Sequence, residues 1–188
     1  MKRMILASGS PRRKELLQML EVPFEVLVSD TKEVITKNEP AEVTKELSYQ
    51  KAMAVAEQVE EGIIIGADTV VSIDGKILGK PADTEEAREM IYKLQGKSHM
   101  VYTGVTVIAK SGDMVSESSF AEGTKVNVAP MTENEIEAYI STDEPYDKAG
   151  AYGIQGLFGK FIEGIKGDYF NVVGLPVHRL YEELKKFD

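Results

Sequence analysis

Three consecutive isoleucines, Ile63-Ile64-Ile65, constrain this chain's fold more than any other feature. A β-branched run without polar alternation reads as a strand buried on both faces, and such a strand needs helices covering its sheet on either side. The flanking patterns supply them. Met4 to Ala7 is a short apolar strand running into Ser8-Gly9-Ser10-Pro11, where a serine in N-cap position precedes a proline at the first helical position. The helix that follows carries Leu16, Leu17 and Leu20 on one face. Phe24 to Val28 alternates like a strand, and a polar, acidic loop runs from Ser29 to Glu39. Pro40 then opens a second helix to about Val59, with Val43, Leu47, Val55 and Val59 as core positions.

The isoleucine strand ends at Gly66-Ala67-Asp68-Thr69, and Val70 and Val71 continue extended. Asp74-Gly75 between apolar flanks predicts a two-residue hairpin. Asp83 with Glu86 reads as a capping box, and Gly96 ends that helix. His99 to Lys110 and Val115 to Val128 read as an antiparallel pair joined at Ser111-Gly112-Asp113. A second capping box, Thr132 with Glu135, starts a helix to about Ile140. Asp143 to Gly159 is glycine-rich and dense in polar groups. Phe161 to Ile165 reads as a strand, and Val177 to Phe187 as a closing amphipathic helix. The order predicts an α/β fold with a mixed sheet. No repeat, low-complexity tract or linker divides the chain, so residues 1–188 read as a single domain.

The chain has no cysteine, which excludes a disulfide framework, a thiol nucleophile and a thiolate metal site. His99 and His178 lie far apart, which disfavours a histidine-rich zinc site. A metal would sit on carboxylate oxygens, which suits Mg²⁺ or Mn²⁺. The formal net charge of -9 argues against a nucleic-acid backbone as partner. A few basic residues in a cleft, helped by a cation, can still focus a positive field on a small polyphosphate. The apolar run before Ser8 is short for a signal peptide. No segment approaches the roughly 20 apolar residues of a membrane span, so a soluble, cytoplasmic protein is expected.

Four segments are candidates for chemistry. In Ser8-Gly9-Ser10-Pro11-Arg12-Arg13, a strand, a small-residue turn and a helix N-terminus make an anion site, and two guanidinium forks suit phosphate oxygens. A capped surface helix with two solvated arginines is the plain alternative. Asp68, just past the isoleucine strand and near the sheet edge, could bind a divalent cation or take a proton from water; it could also simply cap a turn. Lys80, between Gly79 and Pro81, is a phosphate clamp or an ordinary solvated lysine. In Asp147 to Gly156, small residues allow close approach to a ligand, and the Gln155 amide suits a nucleobase edge. A mobile loop is the alternative there, but Ala149, Tyr152 and Ile154 are more apolar than disorder predicts.

Taken together, ILASGSPRRKELL, IIIGADTVV, LGKPAD, DKAGAYGIQG and GDYFNVVGLP resemble the Maf family of nucleotide pyrophosphatases over essentially the whole chain. The resemblance implies an elongated α/β fold similar to inosine triphosphate pyrophosphatases, with a mixed sheet flanked by helices and two lobes around a cleft. It also implies cleavage of a nucleoside triphosphate to monophosphate and pyrophosphate, a divalent metal and a homodimer. Asp68 matches the general acid/base position, and Glu33 the carboxylate that shares the metal with it. Arg13, Lys51 and Lys80 match the basic positions holding the triphosphate. Ser8 and Ser10 lie in the phosphate-binding turn, where Ser10 would position phosphate rather than act as nucleophile. Arg12, Thr69 and Gln155 match the residues of the subfamily acting on dTTP and UTP; the subfamily preferring 7-methyl-GTP differs at these places.

The chemistry agrees with that choice. Uracil and thymine present acceptor, donor and acceptor along O2, N3–H and O4. A glutamine amide can pair with N3–H and O4, although a flipped amide would suit cytosine. Arginine only donates; facing O4 it matches, and facing the cytosine amino group it leaves buried donors unpaired. Two rivals stay open. One is a sugar-nucleotide nucleotidyltransferase, which would need a second pocket for a sugar phosphate. The other is a nucleotide-binding regulator of cell division without essential turnover.

Overall fold

A computed structural model describes residues 3–28, 30 and 32–187. Ser29, at the head of the acidic loop, lies outside the described residues. The elements run β1 (Met4–Leu6), α1 (Pro11–Gln18), β2 (Phe24–Val26), α2 (Pro40–Ala56), β3 (Glu61–Ile73), β4 (Lys76–Leu78), α3 (Thr84–Leu94), β5 (Ser98–Ser111), β6 (Met114–Val128), α4 (Glu133–Ile140), β7 (Ile162–Lys166), α5 (Tyr169–Val173) and α6 (Val177–Leu184). The strands form one seven-stranded sheet in the order β2-β1-β3-β5-β6-β7, with β4 beside β3. β1 pairs in parallel with β2 and β3, whereas β3–β4 and β6–β7 are antiparallel. The expected mixed α/β sheet is present.

The chain divides into two compact units, one of Met1–Asp68, Thr103–Glu122 and Gly174–Asp188, the other of Thr69–Tyr102 and Gly123–Val173. Each has its own core. In the first, Ile5, Ala7, Ala52, Val55, Ile64 and Ile108 pack together. In the second, residues of α3 and α4 close over Val71, Val101, Val126 and an aromatic group of Tyr139, Tyr152, Phe158 and Phe161.

Helix α2 lies directly on β3 because Gly66 has no side chain. A Cβ there would overlap the Ser48 carbonyl and come 2.8 Å from the Ala52 nitrogen. Gly104 gives α2 the same room on β5, against the Thr44 backbone. These close approaches carry Lys51, one residue before Ala52, down to the level of β3.

Local chemistry explains where the elements depart from the sequence reading. α2 stops at Ala56, where Gln58 N–H turns back to the Val55 carbonyl at 3.0 Å, though Val59 is still buried. β2 ends at Val26, and its outward residues are exposed. Asp83 accepts from Glu86 N–H at 2.8 Å, but the Glu86 carboxylate returns to Ala82 N–H, one residue short of a closed capping box. Thr132 and Glu135 do form the reciprocal box. Asp143 to Gly159 is largely tight 3₁₀ turns. α5, with no counterpart in the hydrophobic pattern, follows Asp168, whose carboxylate accepts Phe170 N–H at 2.8 Å.

Candidate active site

β1 ends at Leu6, opposite Ile65 of β3, and Ala7 N–H still reaches the Ile65 carbonyl at 2.8 Å. Beyond that point β1 gives way to the Ser8–Ser10 turn while β3 runs on. Asp68 and the turn therefore emerge at the same end of the β1–β3 pair. The expected break at Gly66-Ala67-Asp68-Thr69 does not form, while the extended run expected through Val70 and Val71 does. β3 continues to Ile73, because Val70 and Val71 are themselves buried and Val71 pairs with buried Leu78, and it lies between β1 and β5.

The Asp68 carboxylate is largely covered, with 14% of its side chain exposed. Lys51 Nζ donates to Asp68 Oδ1 and sits 3.0 Å from Glu33 Oε1. One ammonium on α2 thus gathers a carboxylate from mid-strand and another from the loop before the helix. Ser8 is buried, and its hydroxyl oxygen accepts from Arg13 Nη1 at 3.1 Å and from Ser10 N–H at 3.3 Å. Arg13 Nε donates to the Gly174 carbonyl at 2.8 Å. Burial pulls the Arg13 guanidinium below its usual range, with Arg12 pushing the same way; Asp68, then Arg12, then Glu33 are the charges it feels. An arginine stays protonated even so. This half-buried cation is an oriented anion donor beside two carboxylates.

Ser10 caps α1 by position alone, without a side-chain hydrogen bond, and Pro11 occupies the first helical position. Arg12 is half-buried at the same helix start. The structure thus brings together Ser8, Ser10, Arg12, Arg13, Glu33, Lys51 and Asp68 within one unit. It also adds two groups that sequence reasoning missed. The Gly174 carbonyl belongs to the GDYFNVVGLP motif, which carried no assigned role, and Gly66 sets the height of α2.

Thr69, Lys80 and Gln155 belong to the second unit. Thr69 is half-buried on β3, while Lys80 and Gln155 are exposed on loops. The two loops are tied by a hydrogen bond from Gly150 N–H to the Gly79 carbonyl at 2.9 Å. Gly150 has φ +70°, and a Cβ there would come 2.9 Å from Val71 Cγ2. Ala151 follows in the same left-handed region at φ 63°, which costs a non-glycine residue conformational energy. Tyr139 Oη donates to its carbonyl at 3.0 Å.

The Glu33–Asp68 pair suits a hard divalent cation. Both oxygens already converge on one positive centre, and Mg²⁺ is commonly held by one or two carboxylates plus substrate phosphates. Among the described residues no cluster of three or more histidines and carboxylates offers a ready-made cage, and no helix is long and apolar enough to cross a membrane.

Fold and site together define an α/β protein with half-buried cationic donors set beside paired carboxylates, an arrangement suited to an acidic ligand. The Maf family model, described as Maf-like protein, matches residues 3–187, and the chain belongs to that family. A Bacillus cytotoxicus protein named dTTP/UTP pyrophosphatase is 54% identical over 100% of this chain and 97% of its own. A Bacillus cereus protein of the same name is 50% identical with the same coverage. Among solved structures, the Staphylococcus aureus Ham1 protein superposes with a TM-score of 0.48 at 16% identity, covering 68% of this chain and 72% of its own. A nucleoside-triphosphatase (dITP/XTP pyrophosphatase) from Mycobacterium abscessus gives 0.43 at 14%, covering 69% and 75%.

Proposed function

We propose that this chain hydrolyses nucleoside triphosphates, dTTP and UTP foremost, to the monophosphate and pyrophosphate. The observation that carries the reading is the Arg13–Ser8 anion site beside the Lys51-bridged Glu33 and Asp68. The relatives named dTTP/UTP pyrophosphatase, similar over the whole chain, support the reaction and the pyrimidine preference.

In this reading Asp68 removes a proton from the attacking water as its oxygen forms a bond to the α-phosphorus. The bond from that phosphorus to the α,β-bridging oxygen breaks, and pyrophosphate leaves with the electron pair. Arg13, Lys51 and Lys80 stabilise the charge building on phosphoryl oxygens, and the Ser8–Ser10 turn orients the chain of phosphates. Glu33 and Asp68 would hold Mg²⁺ or Mn²⁺, which when bound neutralises phosphate charge and makes water more acidic. Arg12, Thr69 and Gln155 read the base, with the donor-only guanidinium opposing cytosine. Residues 1–188 make up a single Maf-like domain that acts in the cytoplasm.

The deciding experiment measures pyrophosphate release from a panel of nucleoside triphosphates, with and without Mg²⁺ or Mn²⁺, and identifies the nucleoside product. Monophosphate plus pyrophosphate, strongest with dTTP or UTP and lost without metal, is expected. Nucleotide binding by folded protein with no hydrolysis of any triphosphate would replace this reading with that of a non-catalytic regulator.

A further inference from the structure

Gln155 is exposed on a loop, yet an amide that reads a base edge must be held still. The residues just after it are clamped by a carboxylate to which the reaction assigns no role. Glu144 Oε2 accepts Leu157 N–H at 2.7 Å, and Oε1 accepts Phe158 N–H at 3.3 Å and the Tyr139 hydroxyl at 3.3 Å. Gly156 lies flat on this carboxylate, and a Cβ there would overlap both of its oxygens. On the other side of Gln155, the Lys148 stem packs against Gly153, where a Cβ would meet it at 2.8 Å. Lys148 Nζ is in turn anchored to the Glu144 carbonyl at 2.8 Å. Both arms of the loop therefore lead back to Glu144.

We propose that Glu144 is a positioning residue for base recognition, clamping the backbone after Gln155 so that its amide meets the nucleobase from a fixed place. The inference rests on the reading of Gln155 given above. The clamp joins a charged acceptor to main-chain donors, the stronger kind of hydrogen bond. It acts on backbone, so the position and not the chemistry of Gln155 depends on it. Phe158 is fully buried against Tyr139, Tyr152 and Phe161, so the loop stays anchored when the carboxylate is removed. What is lost is the precision of residues 155–157.

The test compares kcat/KM for UTP and CTP in the full-length protein, its Glu144→Ala and Gln155→Ala variants, and the double variant. Glu144→Ala should narrow the UTP-over-CTP ratio by about ten- to a hundredfold, the scale of a misplaced contact. It should add nothing to the ratio in the Gln155→Ala background. Glu144→Gln, which keeps one acceptor oxygen, should fall between. An unchanged ratio in Glu144→Ala, with Gln155→Ala still altering it, overturns the positioning role alone. An unchanged ratio in Gln155→Ala removes the base-reading assignment itself, and this proposal with it. If Glu144→Ala does not fold, amide exchange of the unsubstituted protein decides: Leu157 and Phe158 N–H should be protected, and exchange as fast as an open loop overturns the clamp.

Discussion

The end of the β1–β3 pair and the Asp143–Gly159 segment both gather the motifs of this chain, but different forces hold them. At the first, charged side chains are held by polar partners: Lys51 ties Glu33 to Asp68, and Arg13 is pinned through the Ser8 hydroxyl and the Gly174 carbonyl. At the second, the backbone itself is held: Glu144 takes two N–H groups, the Tyr139 hydroxyl donates to the carbonyl of a left-handed Ala151, and the Gly79 carbonyl accepts Gly150 N–H. Charges placed to meet a polyphosphate are costly to bury and are left mutually paired. A loop placed to present one amide needs shape, and glycine with backbone hydrogen bonds supplies it. The first region should therefore be sensitive in rate and the second in selectivity and stability.

The sharpest break in that contrast is Asp68→Asn. Replacing the base should lower kcat by about 10²–10⁴-fold while thermal unfolding stays in place, because only one partly covered side chain changes. Near-wild-type turnover would dissolve the distinction and remove Asp68 as the base.

The second region answers to pH instead. His99 Nε2 lies 2.6 Å from the Tyr152 hydroxyl, its Nδ1 has no hydrogen-bond partner among the described residues, and burial lowers its pKa to about 4. The folded protein keeps this imidazole neutral where the unfolded chain already binds a proton. Its contribution is complete above the unfolded value, near pH 6.5, and is lost as pH falls toward 4. About 3 kcal/mol should disappear across that window, at about 1.4 kcal/mol per pKa unit. Denaturant melts at pH 7, 5.5 and 4.5 check it, and a His99→Gln variant should flatten the dependence.

Gly66→Ala tests whether the first region depends on shape as well. The added methyl meets α2 backbone, so unfolding should become easier by about 1–3 kcal/mol. Lys51 should also shift from Asp68, so turnover should fall even well below the melting temperature. Normal kinetics in the surviving folded protein would show that α2 height does not set the ion pair.

The smallest effect belongs to Thr132→Ala. Opening the capping box of α4, which supplies Tyr139, should lower the melting temperature by about 2–4 °C with little change in rate.

Much of this was legible in residue order. The isoleucine run, the Asp74–Gly75 turn with φ 50° and 74°, and the Thr132–Glu135 box are local signals, and each formed where expected. Ser8, Arg13 and Asp68 could be nominated because donor-rich and carboxylate residues stand in recognisable short motifs, whereas Lys51 was indicated only by the family resemblance. The boundary of β3 was misjudged because Gly66-Ala67-Asp68 looks like a strand end, while strand pairing beyond it overrides that local preference. α5 was missed because five residues are too few to show a helical period.

The sequence by itself determined element types, caps and turns, the scarcity of metal-soft ligands and the residues able to handle phosphate, since all of these follow from local backbone preference and side-chain chemistry. Only the tertiary structure decided that Lys51 bridges Glu33 and Asp68, that Gly174 lends Arg13 its carbonyl, and that Glu144 clamps the residues after Gln155. Those pairings span 13 to 161 positions of chain. They depend on how closely glycine lets a helix approach a strand and on which buried donors still need an acceptor, and both are settled when the chain packs.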